Sequence, residues 1–233
     1  MRCTLNCRDC MQRVPLRKSK DVPLQVLFDD LEALFQNISF VGEMSIIGGE
    51  PLIHRDFEKF LLHLASNYHE KIGSLVITTN GTITPTKDTL ELCRNAGIFI
   101  SISDYGKTLP QIVPGIEALE QSARDFGVQN ERKRWSWSDP GRFDEECGVH
   151  ECELVHMQLY GGRLWRCTLM AAGVLAGLCD AAQNTDYYEL LRGEKEALHE
   201  FLYAKKTTSQ CHVCRYPLEV GIESAVQTER SKQ

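Results

Sequence analysis

Between residue 22 and about residue 130, apolar positions along the chain alternate between two rhythms. Leu24, Leu27, Leu31, Leu34 and Phe35 recur every three to four residues, which predicts a helix with one buried stripe. A short apolar run over 43–47 then predicts a strand. Phe57, Phe60, Leu61 and Leu64 form the inward face of a second helix over 57–68. The same alternation predicts a strand over 75–78, a helix over 86–95, a strand over 98–103, a helix over 112–126 and a strand from Val128. After about Asp139 the rhythm stops, and glycines, tryptophans and cysteines take its place. The polar stretch from Ser224 is expected to fray.

Strands separated by helices pair in parallel through right-handed crossovers. Apolar runs that do not alternate cleanly fit strands covered on both faces. The fold class is therefore α/β, and periodicity alone leaves a barrel and a flat doubly wound sheet equally open. Either architecture gathers ligands at the carboxyl ends of its strands. Three polar segments fall at such ends: Gly48-Gly49-Glu50-Pro51, Thr79-Asn80-Gly81 and Ser101-Ile-Ser103-Asp104. The break in rhythm divides the chain into a core over 1–138, a cysteine-rich domain over 139–223 and a polar tail over 224–233. A length of 233 residues suits that division.

Charge narrows the partners. The formal net charge is −6, and the one basic cluster, Glu131-Arg-Lys-Arg134, is short. No nucleic-acid partner is expected. No apolar stretch reaches membrane-spanning length, so a cytoplasmic protein with no membrane association is expected. Ten cysteines in such a chain point to metal ligation rather than disulfides.

Three of those cysteines stand together as Cys3-Thr-Leu-Asn-Cys7-Arg-Asp-Cys10. They provide three thiolates for a cubic iron–sulfur cluster and leave its fourth iron open. A structural zinc site is the alternative, although zinc takes four closed ligands and the first histidine is His54. The triplet resembles the signature of the radical S-adenosylmethionine (SAM) superfamily, and the Gly-Gly-Glu-Pro and Thr-Asn-Gly segments resemble that family's strand-end motifs in the expected order. The resemblance implies a partial TIM-like barrel. It also implies a [4Fe-4S] cluster on Cys3, Cys7 and Cys10, whose open iron binds the amino and carboxylate groups of SAM. An external one-electron reductant, such as flavodoxin or ferredoxin, would drive cleavage of SAM to a 5′-deoxyadenosyl radical that abstracts hydrogen from substrate. Gly48, Gly49, Glu50, Pro51, Asn80, Ser101, Ser103 and Asp104 are the implied SAM contacts, with Glu50 accepting from the SAM ammonium. Asp9 stands where many members carry an aromatic residue near the adenine. The family's first strand is missing ahead of Cys3, and restoring upstream sequence is expected to improve yield and cluster occupancy.

A second pattern, C-x9-G-x4-C followed by C-x2-C, runs through Cys152, Gly162, Cys167, Cys211 and Cys214. It resembles the auxiliary-cluster region of radical SAM enzymes in its shortened Twitch form, related to SPASM domains. That implies a second, fully ligated [4Fe-4S] cluster; zinc remains the alternative for this cysteine set. Residues 154–160 and 163–166 predict a hairpin turned by Gly161-Gly162. Cys93 reads as a buried apolar residue, and Cys147 and Cys179 as alternative ligands or inert thiols. No acid–base residue is identified.

The implied reaction is net oxidation of a sugar- or cyclitol-like alcohol, with the auxiliary cluster taking the substrate's electron. Modification of a peptide, as in radical SAM peptide maturases, is the alternative, and a non-catalytic iron–sulfur or zinc protein is a third reading. Arg132, Arg134, Tyr105, Trp135 and Trp137 are either substrate-lining residues or packing at the domain junction.

Overall fold

The computed structural model describes residues 1–134, 137–138, 156–191, 194–203, 207–214 and 220–229. Its first half follows the apolar rhythm closely. The order is α1 (Leu24–Asn37), β1 (Val41–Ile46), α2 (Phe57–Tyr68), β2 (Ile72–Thr79), α3 (Lys87–Asn95), β3 (Phe99–Ser103), α4 (Val113–Asp125) and β4 (Asn130–Lys133). These strands form a four-stranded parallel sheet in the order β1-β2-β3-β4. Two helix boundaries have visible causes. Thr86 caps α3 by accepting from the Thr89 N–H at 3.1 Å. At the end of α1, Asn37 donates back to the Ala33 carbonyl at 2.8 Å and across to the Leu190 carbonyl at 3.0 Å.

The sheet's covered face is aliphatic. Ile77, Ile100 and Ile102 pack with Leu61 of α2, Leu90 of α3, and Ile116 and Leu119 of α4. β4 departs from the apolar pattern: its residues are Asn-Glu-Arg-Lys, and the apolar Val128 is buried just ahead of it. Pairing with β3 holds it as a strand, with Ser101 opposite Glu131 and Ser103 opposite Lys133.

The second half is antiparallel. β6 (Gln158–Tyr160), β7 (Arg163–Trp165) and β8 (Tyr187–Glu189) form a three-stranded sheet, with α5 (Thr168–Leu175) and α6 (Lys195–Tyr203) beside it. A separate short pair joins β5 (Trp137–Ser138) to β9 (Val220–Ile222). The expected hairpin is present as β6–β7, and Gly161 and Gly162 turn it with φ of +65° and +74°. Residues 154–155 of that expectation lie outside the described residues, as does the expected boundary at Asp139.

One hydrophobic cluster spans both halves. Leu31, Leu34, Phe35, Phe60 and Leu64 pack with Leu164, Tyr188, Leu190, Leu198 and Phe201. A polar contact fixes the same junction: the buried Asp30 of α1 accepts from the Gly161 N–H at 2.9 Å and the Gly162 N–H at 2.5 Å.

The stretch from Ser224, expected to fray, is instead ordered through Glu229. It lies antiparallel to the cysteine loop, with Gln227 opposite Cys7. Arg8 N–H donates to the Val226 carbonyl at 2.8 Å, and Thr228 N–H donates to the Asn6 carbonyl at 2.9 Å. Among the described residues, no helix is long and apolar enough to cross a membrane.

Replacing the buried Asp30 by alanine leaves two backbone N–H groups of the turn without their acceptor. Loss of about 2–4 kcal/mol of stability is expected in urea denaturation, with Asp30→Asn intermediate. A change under 0.5 kcal/mol would show that the turn is not held this way.

Candidate functional site

The three clustered cysteines lie in one tight loop at the carboxyl ends of the parallel strands. Cys7 is 8% exposed, and Cys3 and Cys10 are half-buried. The loop closes on itself through Cys10 N–H to the Cys7 carbonyl at 3.3 Å and Arg13 N–H to the Cys10 carbonyl at 2.8 Å.

The segment after β1 holds this loop from one side. Glu50 N–H donates to the Arg2 carbonyl at 2.9 Å. At Gly49 an added Cβ would meet the Arg2 carbonyl oxygen at 2.0 Å and the Cys3 Cβ at 2.8 Å. Only glycine permits that approach. Gly48 has open space beside it, and Pro51 starts a short 3-10 turn. The segment after β2 holds the loop from the other side. Asn80 Nδ2 donates to Thr4 Oγ1 at 3.0 Å and to Cys3 Sγ at 3.5 Å.

Glu50 joins these two segments. Its side chain turns inward, and the residue is 2% exposed. One carboxylate oxygen accepts from Leu52 N–H at 3.2 Å and from Thr79 Oγ1 at 2.9 Å. The other accepts from Asn80 N–H at 2.9 Å and from Thr79 Oγ1 at 3.0 Å. Burial pushes its pKa up to about 7 against the pull of those donors.

The end of β3 completes the rim. Ser101 and Ser103 are both buried, as their shared parity implies. Asp104 is engaged entirely within the protein: Arg132 Nε approaches it at 3.0 Å, Arg134 Nε at 2.8 Å and Gly106 N–H at 2.8 Å. Burial alone would raise the Asp104 carboxyl. The hydrogen bonds from Arg132, Arg134 and Gly106 outweigh it and hold the carboxyl at about 2. What Asp104 presents at the rim is therefore a pair of fixed guanidinium groups, Arg134 the more exposed. Tyr105 meets Trp137 edge-on at 5.5 Å. Trp135 lies outside the described residues.

Electrostatics tie the cysteines to this rim. Burial raises the Tyr105 phenol, and the charges of Cys7, Cys10 and Cys3 all add to that rise. Burial likewise raises the Cys3 thiol and pushes the Cys7 thiol up to about 12, each further raised by the neighbouring thiols. Among the described residues, no three His, Cys, Asp or Glu side chains converge tightly enough to hold a single ion. The donor set still fits a thiolate-bound cluster. It offers three soft sulfurs on one loop, two of them already receiving N–H donors: Cys3 from Leu5 N–H at 3.4 Å, and Cys7 from Gln227 Nε2 at 3.2 Å.

The expected auxiliary set is only partly in view. Cys152 and Cys147 lie outside the described residues. Cys167 precedes α5, and Cys211 and Cys214 flank the 3-10 turn at Cys211–Val213. Cys211 Sγ accepts from Thr208 N–H at 3.0 Å. The fully buried Asp186 fixes the approach to that turn, accepting from Ser209 N–H at 2.6 Å and Ser209 Oγ at 2.7 Å. The same carboxylate acts on Cys179, whose thiol is pushed up to about 11 by burial, then by Asp186 and Asp180. Cys93 is fully buried in the aliphatic core, as its helical position implied.

Gln227 and Asp186 escaped the sequence reading, and Thr79 was read within its strand-end motif but without its bonds to Glu50. Gln227 is 220 residues from Cys7 in a stretch with no periodicity, so no local signal marked it.

Residues 1–110 match the radical SAM superfamily. Two curated relatives are named GTP 3′,8-cyclase. The one from Xanthomonas axonopodis pv. citri (strain 306) is 31% identical over 140 residues, covering 52% of this chain and 40% of that protein. The one from Paracoccus denitrificans (strain Pd 1222) is 27% identical over 136 residues, covering 51% and 38%. The matched part thus spans about two fifths of these relatives' length.

Two measurements test this geometry. Gly49→Ala is expected to displace the cysteine loop and cut iron uptake several-fold, while Gly48→Ala folds with wild-type stability; equal uptake by both would refute the close approach. The second concerns Glu50. Its folded pKa lies above the ordinary 4.5, so its contribution to stability is full below pH 4.5 and is lost as pH rises through about 7. In metal-free protein, wild type is expected to lose on the order of 3 kcal/mol relative to Glu50→Gln between about pH 4.5 and pH 8. Parallel pH profiles would show that the carboxyl is not strained by burial.

Proposed function

Residues 1–110 form a radical SAM superfamily domain, and on that premise we propose that this chain cleaves SAM reductively and abstracts hydrogen from a sugar-type carbon of a small substrate. The observation that carries the reading is the loop of three thiols clamped between the Gly49–Glu50 and Asn80 segments. Cys3, Cys7 and Cys10 would hold the [4Fe-4S] cluster. When bound, it would leave one iron for the amino and carboxylate groups of SAM and would supply the electron for reductive cleavage.

The chain's own residues shape and dry the site. Gly48, Gly49, Pro51, Asn80, Ser101, Ser103 and Asp104 line the SAM side at the strand ends. Glu50, the proposed acceptor for the SAM ammonium, also fixes the two strand ends through its bonds to Leu52, Thr79 and Asn80. Tyr105 and Trp137 close the rim against water, protecting a radical from side reactions. Arg132 and Arg134, held by Asp104, offer two oriented guanidiniums to anionic or hydroxyl groups of a substrate.

The sugar class rests on two supports. The fixed arginines suit a polar, oxygen-rich ligand, and both relatives are named for a reaction on GTP, a ribose-bearing molecule. We propose net oxidation of a sugar- or cyclitol-like alcohol, with a second [4Fe-4S] cluster on Cys152, Cys167, Cys211 and Cys214 in a domain over 139–223 accepting the electron. A flavodoxin- or ferredoxin-type donor in the reducing cytoplasm supplies the first electron.

Anaerobic reconstitution of wild type against the Cys3→Ala/Cys7→Ala/Cys10→Ala variant tests the proposal. About eight irons falling to about four, together with loss of 5′-deoxyadenosine formation, is the expected result. Iron content unchanged in the variant would overturn it. With active protein, deuterium transfer from labelled sugars, cyclitols and GTP into 5′-deoxyadenosine then reads the substrate class; transfer from a peptide alone would overturn the sugar assignment.

A further inference from the structure

The ordered C-terminal stretch reaches Cys7, the most buried of the three clustered cysteines. Ala225 is 0% exposed and shares the aliphatic core with Cys7. It anchors the stretch at a φ of +57°. Asn6 grips the far end, its Nδ2 donating to Thr228 Oγ1 at 2.8 Å and to the Thr228 carbonyl at 3.0 Å. Between these two anchors stands Gln227.

The Gln227 amide is fixed at both of its ends. Oε1 accepts from Asn6 N–H at 2.7 Å, and Nε2 donates to the Ala225 carbonyl at 2.7 Å. These partners leave one orientation for the amide, since flipping it would set donor against donor and acceptor against acceptor. The remaining N–H is thereby aimed at Cys7 Sγ, 3.2 Å away. Gln227 is itself exposed, but its amide is oriented by two further hydrogen bonds, and a neutral donor so aimed at the sulfur stabilises extra negative charge on a cluster without adding charge of its own. Hydrogen bonds to the ligand sulfurs are among the factors that set an iron–sulfur potential.

We propose that Gln227 is a positioning residue that raises the reduction potential of the N-terminal cluster through its hydrogen bond to the Cys7 sulfur, easing entry of the electron that cleaves SAM. The inference rests on the reading of Cys3, Cys7 and Cys10 as cluster ligands.

The test is an anaerobic redox titration of the reconstituted full chain, followed by electron paramagnetic resonance. The signal that changes on adding SAM identifies the N-terminal cluster. Gln227→Glu keeps the acceptor for Asn6 but removes the donor, and Gln227→Met removes the donor without adding charge. Both variants are expected to hold wild-type iron and to titrate at a more negative midpoint than wild type. Glu229→Gln, on the same stretch and exposed, leaves the main-chain contacts to Asn6 in place and is expected to keep the wild-type midpoint.

Wild-type midpoints in both Gln227 variants at full iron loading would overturn the inference alone. Failure of both to hold the cluster would make Gln227 a structural latch and overturn it as well. A wild-type chain that takes up no iron would instead overturn the ligand reading, and this inference with it.

Discussion

The buried carboxylate of Glu50 is the contact on which the site's geometry depends. It sits where two strand ends must be brought together, and it meets the need with four hydrogen bonds drawn from Leu52, Thr79 and Asn80. Its own backbone N–H reaches the cysteine loop at Arg2. An acid kept from solvent in this way is costly, and the rise of its pKa to about 7 measures the opposition between burial and bonding. The arrangement persists because removing the carboxylate would orphan two backbone donors at once. Gly49 has the complementary role: the clamp closes only because nothing projects from its α-carbon.

Asp104 shows the opposite solution one strand away. Its charge is balanced by Arg132 and Arg134, so burial is overcome and the carboxylate stays ionised. The two acids divide the labour of the rim. One is held near neutrality and fixes backbone; the other is fully charged and aims cations. Both acids hold protein groups at strand ends, one through neutral donors and the other through guanidinium groups.

Most of the parallel half was legible in the sequence because its signals are local. Helical stripes such as Leu27–Leu31–Leu34 and strand runs such as Leu75–Thr78 depend on neighbours a few residues apart, and they fell within a few residues of the observed elements. β4 was less legible, since Asn130–Lys133 carries no apolar alternation and is a strand through its pairing with β3. The cysteine spacing and the glycine-rich strand ends pointed to segments that the structure brings together, while the inward direction of the Glu50 side chain had no local signal. That direction is set by Thr79 and Asn80, which lie across a whole helix and strand. The C-terminal order was illegible for a stronger reason: its partners are at the other end of the chain.

That last pairing also imposes a sequence of events. Cys7 precedes Gln227 by 220 residues along the chain, so the loop carrying the three thiols is made well before its final neighbour. Closing a contact over 220 residues carries a large entropic cost, and it is met only when the intervening core has already drawn the two ends together. The thiol loop reaches its finished form only once the core between the two segments has packed. The segment that carries the thiols thus precedes its partner in the chain yet matures only with it.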